Sequence, residues 1–269
     1  MVISILGCGW YGKALASELI KEEITVNGSV TSAEKSDQLA SLGINPFVVN
    51  LTPEKATYDP EFFECDVLVI SIPPKFKSGQ SSQYLPKIHR IIEAITKHHI
   101  YKVIYISSTG VYGDLNSKVN ELTEPLPDTE LGNILLAAEK LLSANHGFKT
   151  TILRCGGLVG PGRHPGRFFA GKQDIPNGRA PVNLIHLDDC VGITLNIIQK
   201  DTYGYLFNAC STDHPAKADF YGYTSAQAGL PLPQFVDELK GWKIIDAINP
   251  TKILSYNFEH ANWLDCDFL

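Results

Sequence analysis

The stretch VISILGCGWYG, Val2 to Gly12, places five strand-forming residues directly before a Gly-x-Gly-x-x-Gly motif. A lone motif of this kind is weak, but here it follows a strand and opens an amphipathic helix. Gly7 permits the tight turn, Gly9 lets the backbone approach a ligand, and Gly12 lets helix and strand pack closely. The helix N-terminus adds free N–H groups and about half a positive charge. The stretch therefore predicts a cradle for the pyrophosphate of a dinucleotide, against the alternative of a glycine-rich turn without a ligand.

The composition is that of an ordinary globular chain. It has 269 residues, of which 44% are hydrophobic and 19% charged, with a net charge of −6. This length suits one large α/β domain with a small appended lobe. No block of five like charges occurs, which argues against a nucleic-acid or membrane-surface partner.

The sequence also bears on the cellular compartment and on metal binding. The N-terminus lacks a basic leader, and no apolar run approaches the roughly 18 residues of a membrane span. Six cysteines occur without any C-x-x-C spacing, and the histidines have no zinc-ligand spacing. We therefore expect a reduced, cytoplasmic protein without a metal or a membrane segment.

The first two-thirds of the chain alternates strand-like and helix-like segments, a pattern that predicts a doubly wound parallel α/β (Rossmann) sheet. Several strands are continuously apolar, as expected for strands buried on both faces. The predicted strands are Val2–Leu6, Ile24–Val30, Ile44–Asn50, Val67–Ile72, Lys102–Ser107, Thr150–Arg154 and Tyr205–Ala209. The predicted helices are Tyr11–Lys21, Ala33–Leu42, Ser82–His98, Glu130–Asn145, Leu187–Gln199 and Lys217–Ala228.

The character of the sequence changes after Arg154, because residues 155–186 are rich in glycine and proline and indicate long loops. We expect residues 1–155 to form the nucleotide-binding domain and residues 187–210 to rejoin its sheet. Residues 156–186 and 211–269 are expected to form substrate-side loops and a small C-terminal lobe.

The end of the second strand bears on the choice of cofactor. A site that prefers NAD places a carboxylate about 20 residues after the glycines, where it binds the ribose 2′-hydroxyl. No acidic residue occurs between Ile24 and Ala33; instead Ser29, Thr31, Ser32 and Lys35 offer hydroxyls and a cation. Hydroxyls and a cation suit a 2′-phosphate, which favours NADP(H) over NAD(H). An ordinary helix N-cap at Thr31 or Ser32, with Lys35 in solvent, explains the same residues equally.

Four later stretches occur in an order typical of one family. They are VIYISSTGVYG (Val103–Gly113), LRCGGLVGPGR (Leu153–Arg163), VNLIHLDDCVGI (Val182–Ile193) and YLFNACSTDHP (Tyr205–Pro215). With the glycine loop they resemble the extended and atypical short-chain dehydrogenase/reductase superfamily, also called the NAD-dependent epimerase/dehydratase family. The resemblance runs from Val2 to about Phe235.

That resemblance implies a sheet of about seven strands with the cofactor across its carboxyl edge. It also implies that Ser71–Pro74 lies against the adenosine ribose and that Ser107 and Ser108 lie beside the nicotinamide. The residues expected to contact the cofactor are Gly7, Gly9, Trp10, Tyr11, Gly12, Ser29, Thr31, Ser32, Lys35, Ser71, Ile72, Pro73 and Ser107.

Active members of that family carry Tyr-x-x-x-Lys on the helix after the serines, where the tyrosine is the general acid/base and the lysine lowers its pKa. Here the helix is ELGNILLAAEKLL, with Leu131 and Leu135 at the two positions. No shift of register restores the pair. Leucines four residues apart share one helix face and can only form an apolar wall. A positioned acid/base contributes about 10²–10⁴-fold in rate, so hydride transfer here needs a proton from elsewhere.

The nearest donors borne by the motifs are Ser108, Thr109, Tyr112 and His186, of which Ser108 and Tyr112 are the catalytic candidates. Each has a structural alternative. Ser108 suits a cap at a strand end, Tyr112 suits packing in the turn, and His186 suits a contact that joins the loop to the helix before Asp188.

The loop GPGRHPGRFFAGK (Gly160–Lys172) concentrates cationic and titratable side chains where family members contact substrate. This suits an anionic substrate, although a solvated loop explains the same charges. The candidate substrate-binding residues are Arg163, Arg167, Asn183 and His186. We expect Asp188 and Asp189 to cap the helix that follows.

Two functions are consistent with these features. The first is an NADP(H)-dependent oxidoreductase or epimerase that acts on a small anionic or sugar-like metabolite through a non-standard proton donor. The second is a non-catalytic NADP(H)-binding sensor or regulatory protein. The serine cluster and the cationic loop favour the first, and the two leucines favour the second. The expected partner is a small-molecule substrate, and the expected assembly is a monomer or a homodimer.

Overall fold

The computed structural model describes residues 1–74, 81–266 and 268. The strands in chain order are β1 (Val2–Leu6), β2 (Thr25–Val30), β3 (Asn45–Val48), β4 (Asn50–Leu51), β5 (Ala56–Thr57), β6 (Val67–Ile70), β7 (Lys102–Ser108), β8 (Ser117–Val119), β9 (Lys149–Cys155), β10 (Gly157–Val159), β11 (Leu184–His186), β12 (Leu206–Ala209) and β13 (Lys243–Ile245). The α-helices are α1 (Trp10–Lys21), α2 (Ser36–Ala40), α3 (Tyr84–Lys97), α4 (Glu130–Ser143), α5 (Leu187–Gln199), α6 (Lys217–Gln227) and α7 (Ile248–Leu254). Within these described ranges, no helix has the length and apolar character needed to cross a bilayer.

Seven parallel strands form the central sheet in the order β12-β9-β7-β6-β1-β2-β3. The strand order proceeds outward in both directions from the neighbours β1 and β6, so the crossover direction reverses between them. Helices α1 and α5 contact each other in one apolar core, and α3 and α4 contact each other in another. Helices therefore cover both faces, which confirms the predicted doubly wound sheet.

The sequence pattern explains the central elements. Strand β6 is VLVI and is buried along its whole length, as a strand covered on both faces requires. In α3 the buried residues Tyr84, Ile88, Ile91 and Ile95 recur every three or four positions, which gives the helix one apolar face. Helix α4 begins where the Thr129 hydroxyl accepts a hydrogen bond from the backbone N–H of Gly132 at 3.1 Å.

Two predicted elements differ from those observed. The predicted helix over residues 33–42 is a 3-10 turn, Ala33–Lys35, followed by the five-residue helix α2. Ser36 and Asp37 compete with the backbone for hydrogen bonds and are poor residues for a longer helix there. The predicted strand over residues 44–50 is the shorter β3, which lies at the sheet edge, where Pro46 is tolerated.

The small lobe is assembled from separate parts of the chain. Strand β10 pairs with β11, β8 pairs with β13, and α6 packs on the turn Pro165–Arg167. Its apolar core includes Val159, Phe220, Trp263 and Phe268. Residues 187–210 supply α5 and β12, and β12 pairs with β9 at the edge of the central sheet. The pairing of β8 with β13 places residues 117–119 beside the lobe. The expected lobe comprised only residues 156–186 and 211–269.

Two helical glycines provide a test of the packing. A Cβ on Gly132 in α4 would collide with the carbonyl oxygen of Gly110 and lie 2.8 Å from Pro127 Cβ, whereas a Cβ on Gly222 in α6 would meet no atom within 4 Å. We expect Gly132→Ala to lower the free energy of unfolding by about 1–3 kcal/mol through overpacking. Gly222→Ala should raise it by up to about 1 kcal/mol, because alanine is the better helix former.

Urea denaturation followed by circular dichroism measures both changes. Equal midpoints for the two variants would contradict the close packing of α4 on the turn that follows β7.

Candidate functional site

A cavity of about 780 Å³ opens at the carboxyl ends of the central strands. It lies beside β1 and β6, the neighbouring strands between which the crossover direction reverses. This is the position at which doubly wound sheets bind ligands. Its lining comprises Gly7, Cys8, Gly9, Trp10, Tyr11, Gly12, Ser29, Val30, Thr31, Lys35, Ser71, Ile72, Pro73, Pro74, Ile106, Ser107, Ser108, Leu131, Leu135, Cys155, Gly156, Gly157, Leu158 and Arg163. Of the predicted cofactor contacts, the cavity brings all but Ser32 together.

Two of the three motif glycines occupy places that a side chain would disturb, and the third leaves the backbone open. Gly7 has φ +93°, and a Cβ there would lie 2.9 Å from Ile72 Cγ2. A Cβ on Gly12 would lie 3.1 Å from both Gly7 O and Ile5 Cγ2, so this glycine permits close packing of α1 on β1. Gly9 is exposed, and a Cβ there would meet no atom nearer than 4.0 Å. The backbone at Gly9 is therefore open to a ligand in the cavity.

Two serines hold the glycine loop rather than only facing the cavity. The Gly7 N–H donates to Ser29 Oγ at 2.8 Å, and Ser71 Oγ donates to Gly7 O at 2.8 Å. The N–H and the carbonyl of Gly7 are thereby fixed by Ser29 of β2 and by Ser71, which directly follows β6. The loop is preorganised, which lowers the entropy cost of binding a phosphate to it.

The loop that follows β10 contacts the glycine loop from the other side. Trp10 Nε1 donates to Pro161 O at 2.9 Å, and the Arg163 guanidinium lies 5.6 Å from the centre of the Trp10 ring. The second contact is a cation–π interaction. Arg163 was predicted to bind substrate; it lines the cavity beside the start of α1, where it also faces the expected position of a pyrophosphate.

Two of the three polar residues predicted after β2 line the cavity. Thr31 and Lys35 are exposed and line the cavity. Ser32 occupies the N-cap position of the turn Ala33–Lys35, but its side chain makes no capping hydrogen bond and lies 3.5 Å from Glu34 Oε2. The described residues of the cavity lining include no carboxylate.

Leu131 and Leu135 form one wall of the cavity, as the sequence predicts. Both belong to α4, with exposures of 36% and 5%, so Leu135 is almost enclosed and Leu131 reaches solvent at the rim. Ser108 lies in the same lining and is half-buried. Its Oγ accepts a hydrogen bond from Gly110 N at 3.1 Å, which leaves the hydroxyl proton for a ligand.

A buried polar network lies beneath this wall. Arg154 Nη2 and Glu139 Oε2 are 2.6 Å apart, and the Arg154 Nε donates to the same carboxylate at 3.0 Å. Ser107 Oγ donates to Glu139 Oε1 at 2.6 Å. Burial lowers the pKa of Arg154, but the hydrogen bonds and charge of Glu139 outweigh it and raise that pKa. The Arg154 guanidinium therefore stays charged, and the pair together with Ser107 joins α4, β7 and β9.

Tyr112, a catalytic candidate in the sequence, belongs to this network and does not line the cavity. Its side chain is 1% exposed, and its hydroxyl accepts from Arg154 Nη1 at 2.7 Å. The same hydroxyl lies 3.0 Å from Asn120 O and 3.2 Å from Asn208 Oδ1. Burial raises the pKa of Tyr112, and the charge of Arg154 offsets only part of that increase. A protonated tyrosine enclosed by such partners has no path to a substrate.

Three predicted substrate contacts are also placed elsewhere. Arg167 is exposed in the turn Pro165–Arg167, outside the lining of the cavity. The Asn183 amide bridges to the lobe, donating to Lys243 O and accepting from Ile245 N, both at 2.9 Å. His186 is buried, and its Nδ1 accepts from Asp188 N at 3.3 Å, so the histidine caps α5.

The two aspartates after His186 do not cap α5, because the side chain of His186 does. Asp188 and Asp189 lie in the first turn, where their charges favour the helix dipole. The Asp189 carboxylate instead accepts hydrogen bonds from the C-terminal segment.

Sequence reasoning missed Glu139 and Arg154, although both left a signal. Glu139 lies four residues after Leu135 on the buried face of α4, and Arg154 lies between the buried Leu153 and Cys155 in β9. Charges at buried positions are rarely tolerated without a partner. It also missed the lining residues Ile106, Cys155 and Gly156, for which the sequence carries no comparable signal.

Comparisons with known proteins agree with this geometry. Residues 7–183 match the model of a family described as NAD(P)H-binding. The chain is 35% identical over 266 residues to Protein YeeZ of Escherichia coli (strain K12), covering 97% of this chain and 96% of that protein. It is 30% identical over 121 residues to the Bacillus subtilis protein named "Uncharacterized UDP-glucose epimerase YtcB", which covers 40% of this chain and 38% of that one.

Among solved structures, the fold is similar to that of UDP-glucuronic acid 4-epimerase from Bacillus cereus in complex with NAD. The TM-score is 0.80 at 20% identity, over 98% of this chain and 95% of the other. This similarity concerns the fold, and it agrees with the seven-stranded sheet described above.

Replacing Arg154 tests the buried network. We expect Arg154→Met to lower the free energy of unfolding by about 3–5 kcal/mol, because it leaves the buried Glu139 carboxylate without its partner. The matched control is Arg179→Met, which removes an exposed pair with Asp237 and should change stability by less than about 1 kcal/mol.

Denaturant midpoints measured by tryptophan fluorescence compare the two variants. If both lost the same stability, the pair would not have the structural weight that its burial indicates.

Proposed function

The chain belongs to the NAD(P)H-binding family, and from this premise we propose that it is an NADP(H)-dependent oxidoreductase or epimerase of the short-chain dehydrogenase/reductase type. The observation that carries the proposal is the continuity of one cavity, which extends from Lys35 past the glycine loop to Ser108. Its lining thus offers a place for each end of a dinucleotide.

The preference for NADP(H) is supported by the end of β2. Thr31 and Lys35 present a hydroxyl and an ammonium group to the cavity, and the side chain of Ser32 is not engaged in a cap. A 2′-phosphate placed there would gain a charge-assisted hydrogen bond from Lys35. The lining lacks the carboxylate that would bind the 2′-hydroxyl of NAD.

The centre of the cavity fits a pyrophosphate. The N–H groups at the start of α1 and the exposed backbone of Gly9 face it, and Arg163 adds a positive charge from the loop after β10. Because Trp10 ties that loop to α1, the arginine is held close to the phosphate position.

The reactive end is built from Ser108 and the leucine wall. A nicotinamide held there beside Ser108 and the two leucines would supply the hydride chemistry at a carbonyl or carbinol carbon of the substrate. The Ser108 hydroxyl donates to the substrate oxygen and stabilises the negative charge that develops there. Leu131 and Leu135 keep water from that side, which strengthens this hydrogen bond.

The proposed substrate class is a small anionic or sugar-like metabolite. The epimerase of similar fold is named for UDP-glucuronic acid, and YtcB carries UDP-glucose in its name. Nucleotide sugars are therefore the first compounds to test, and the lobe built from residues 156–186 and 211–266 is where we place their recognition.

A second candidate is a non-catalytic NADP(H)-binding sensor. Two features favour this second candidate: Arg154 holds Tyr112 in the buried network, and the two leucines line the cavity. Neither feature brings a strong acid to the cavity. Such a protein would bind the cofactor without turnover and respond to the NADP⁺/NADPH ratio. A protein that binds this sensor would then be regulated through the sensor's bound cofactor.

Cofactor preference is tested by Lys35→Ala. We expect the dissociation constant for NADPH to rise about tenfold, in line with the loss of one exposed charge-assisted contact of about 1.5 kcal/mol. The affinity for NADH should not change, because NADH has no 2′-phosphate. Fluorescence titration of both nucleotides gives the ratio, and Lys21→Ala on the outer face of α1 serves as the control. Equal losses for the two nucleotides would contradict the assignment.

Catalysis is tested by Ser108→Ala. We expect kcat for NADPH oxidation with a nucleotide-sugar ketone to fall about 10²–10³-fold, as for the loss of one donor to a developing oxyanion. NADPH affinity should stay the same, and Ser143→Ala at the exposed end of α4 should have no effect. NADPH binding without turnover across a broad carbonyl panel would reject the enzyme and leave the sensor.

A further inference from the structure

His186, His260 and Cys266 meet where the C-terminal segment crosses the junction of β11 and α5. One ligand atom from each lies within 4.8 Å of the others. The two imidazole rings have centroids 3.7 Å apart, and His260 Nδ1 lies 3.3 Å from Cys266 Sγ. Two imidazoles and a thiol are a ligand set that Zn²⁺ takes in proteins. None of the three lines the cofactor cavity.

Asp188 holds the outer nitrogen of each ring. Its Oδ2 lies 3.3 Å from His186 Nδ1 and 3.3 Å from His260 Nε2. In His260, a proton on Nε2 leaves Nδ1 as an unprotonated ligand. In His186, binding at Nε2 requires the tautomer with its proton on Nδ1, which then donates to Asp188 Oδ2 and replaces the hydrogen bond that Nδ1 otherwise accepts from Asp188 N. Histidines that bind metals commonly donate their second N–H to a carboxylate in this way, which fixes the tautomer and the ring orientation.

The inner nitrogen of His186 is buried without a hydrogen-bond partner. His186 is 2% exposed, and its Nε2 makes no hydrogen bond to the described residues. Beside it lies Gly160, where a Cβ would come within 3.2 Å of that Nε2. A glycine with φ +144° thus leaves space at this unpartnered nitrogen. A buried nitrogen without a hydrogen bond is destabilising, and a bound metal ion would remove that penalty.

The backbone of His260 is fixed independently of its side chain. Asp189, fully buried, accepts hydrogen bonds from Glu259 N at 2.7 Å and His260 N at 3.0 Å. Ser211 Oγ donates to His260 O at 2.8 Å. The second imidazole is therefore preorganised against the first, which reduces the entropy cost of binding an ion.

We propose that His186 Nε2, His260 Nδ1 and Cys266 Sγ form a binding site for Zn²⁺ or a chemically similar divalent cation, with Asp188 as the outer carboxylate. A tetrahedral zinc with bonds of about 2.0 Å to nitrogen and about 2.3 Å to sulfur sets its ligand atoms about 3.5 Å apart, close to the separation of His260 and Cys266. Binding releases the thiol proton of Cys266. The fourth position is left to water or another ligand. This site is independent of the proposed function.

Cobalt substitution in untagged full-length protein tests the site. We expect Co²⁺ added to chelator-treated protein to bind one equivalent and to produce a sulfur-to-cobalt charge-transfer band with tetrahedral d–d bands. Cys266→Ser should abolish the charge-transfer band, whereas Cys65→Ser should retain it. A wild-type protein without the band, or a Cys266→Ser variant that keeps it, would overturn the proposal.

A second variant avoids any effect on folding from the buried thiol. The Asp188 side chain is 56% exposed, so Asp188→Asn should leave the fold intact. We expect it to weaken Zn²⁺ affinity about 10–100-fold in competition with a chromophoric chelator, the usual effect of removing an outer carboxylate. The control, Asp219→Asn, removes an equivalent acid from the first turn of α6 and should leave the affinity unchanged. Equal affinities for the two variants would refute the role of Asp188.

Discussion

The ion pair of Glu139 and Arg154 is the interaction on which the Ser108 end of the cavity depends. It joins α4 to β9, and through Ser107 and Tyr112 it reaches β7 and the turn that follows β7. Both charges are buried, so each is tolerable only while the other is in place. The leucine wall belongs to the same helix as Glu139. Its position against Ser108 therefore follows from this pair.

The cofactor end depends on a different constraint, the close approach of backbone at the glycine loop. Gly7 and Gly12 allow α1, β1 and β6 to meet where a single Cβ would intervene. Hydroxyls of β2 and β6 then fix the loop from both sides. The glycine-loop end depends on close backbone packing, and the other end depends on a buried ion pair. One continuous cavity connects the two ends. Such a scaffold can keep its binding end while the reactive end changes.

Much of this organisation could be predicted from the sequence, because it depends on local patterns. The glycine spacing, the apolar strands and the order of the four motifs identified the family and the sheet, and both are confirmed. The leucine wall followed from helical spacing. The enclosure of Tyr112 could not be predicted in this way, because its partners Arg154 and Asn208 come from strands far along the chain. The same limit applies to His186, since the other two members of its cluster lie more than 70 residues later in the sequence.

The carboxylate of Asp189 has a consequence for how the molecule unfolds. It is completely buried in α5 and receives hydrogen bonds from Tyr256, Glu259 and His260 of the C-terminal segment. Detaching that segment would leave the carboxylate without three donors, at a cost well above that of an ordinary surface contact. Fraying from the C-terminus is therefore opposed by the core of the nucleotide-binding sheet itself. Local opening of the tail is therefore expected to cost more free energy than the fraying of an exposed chain end.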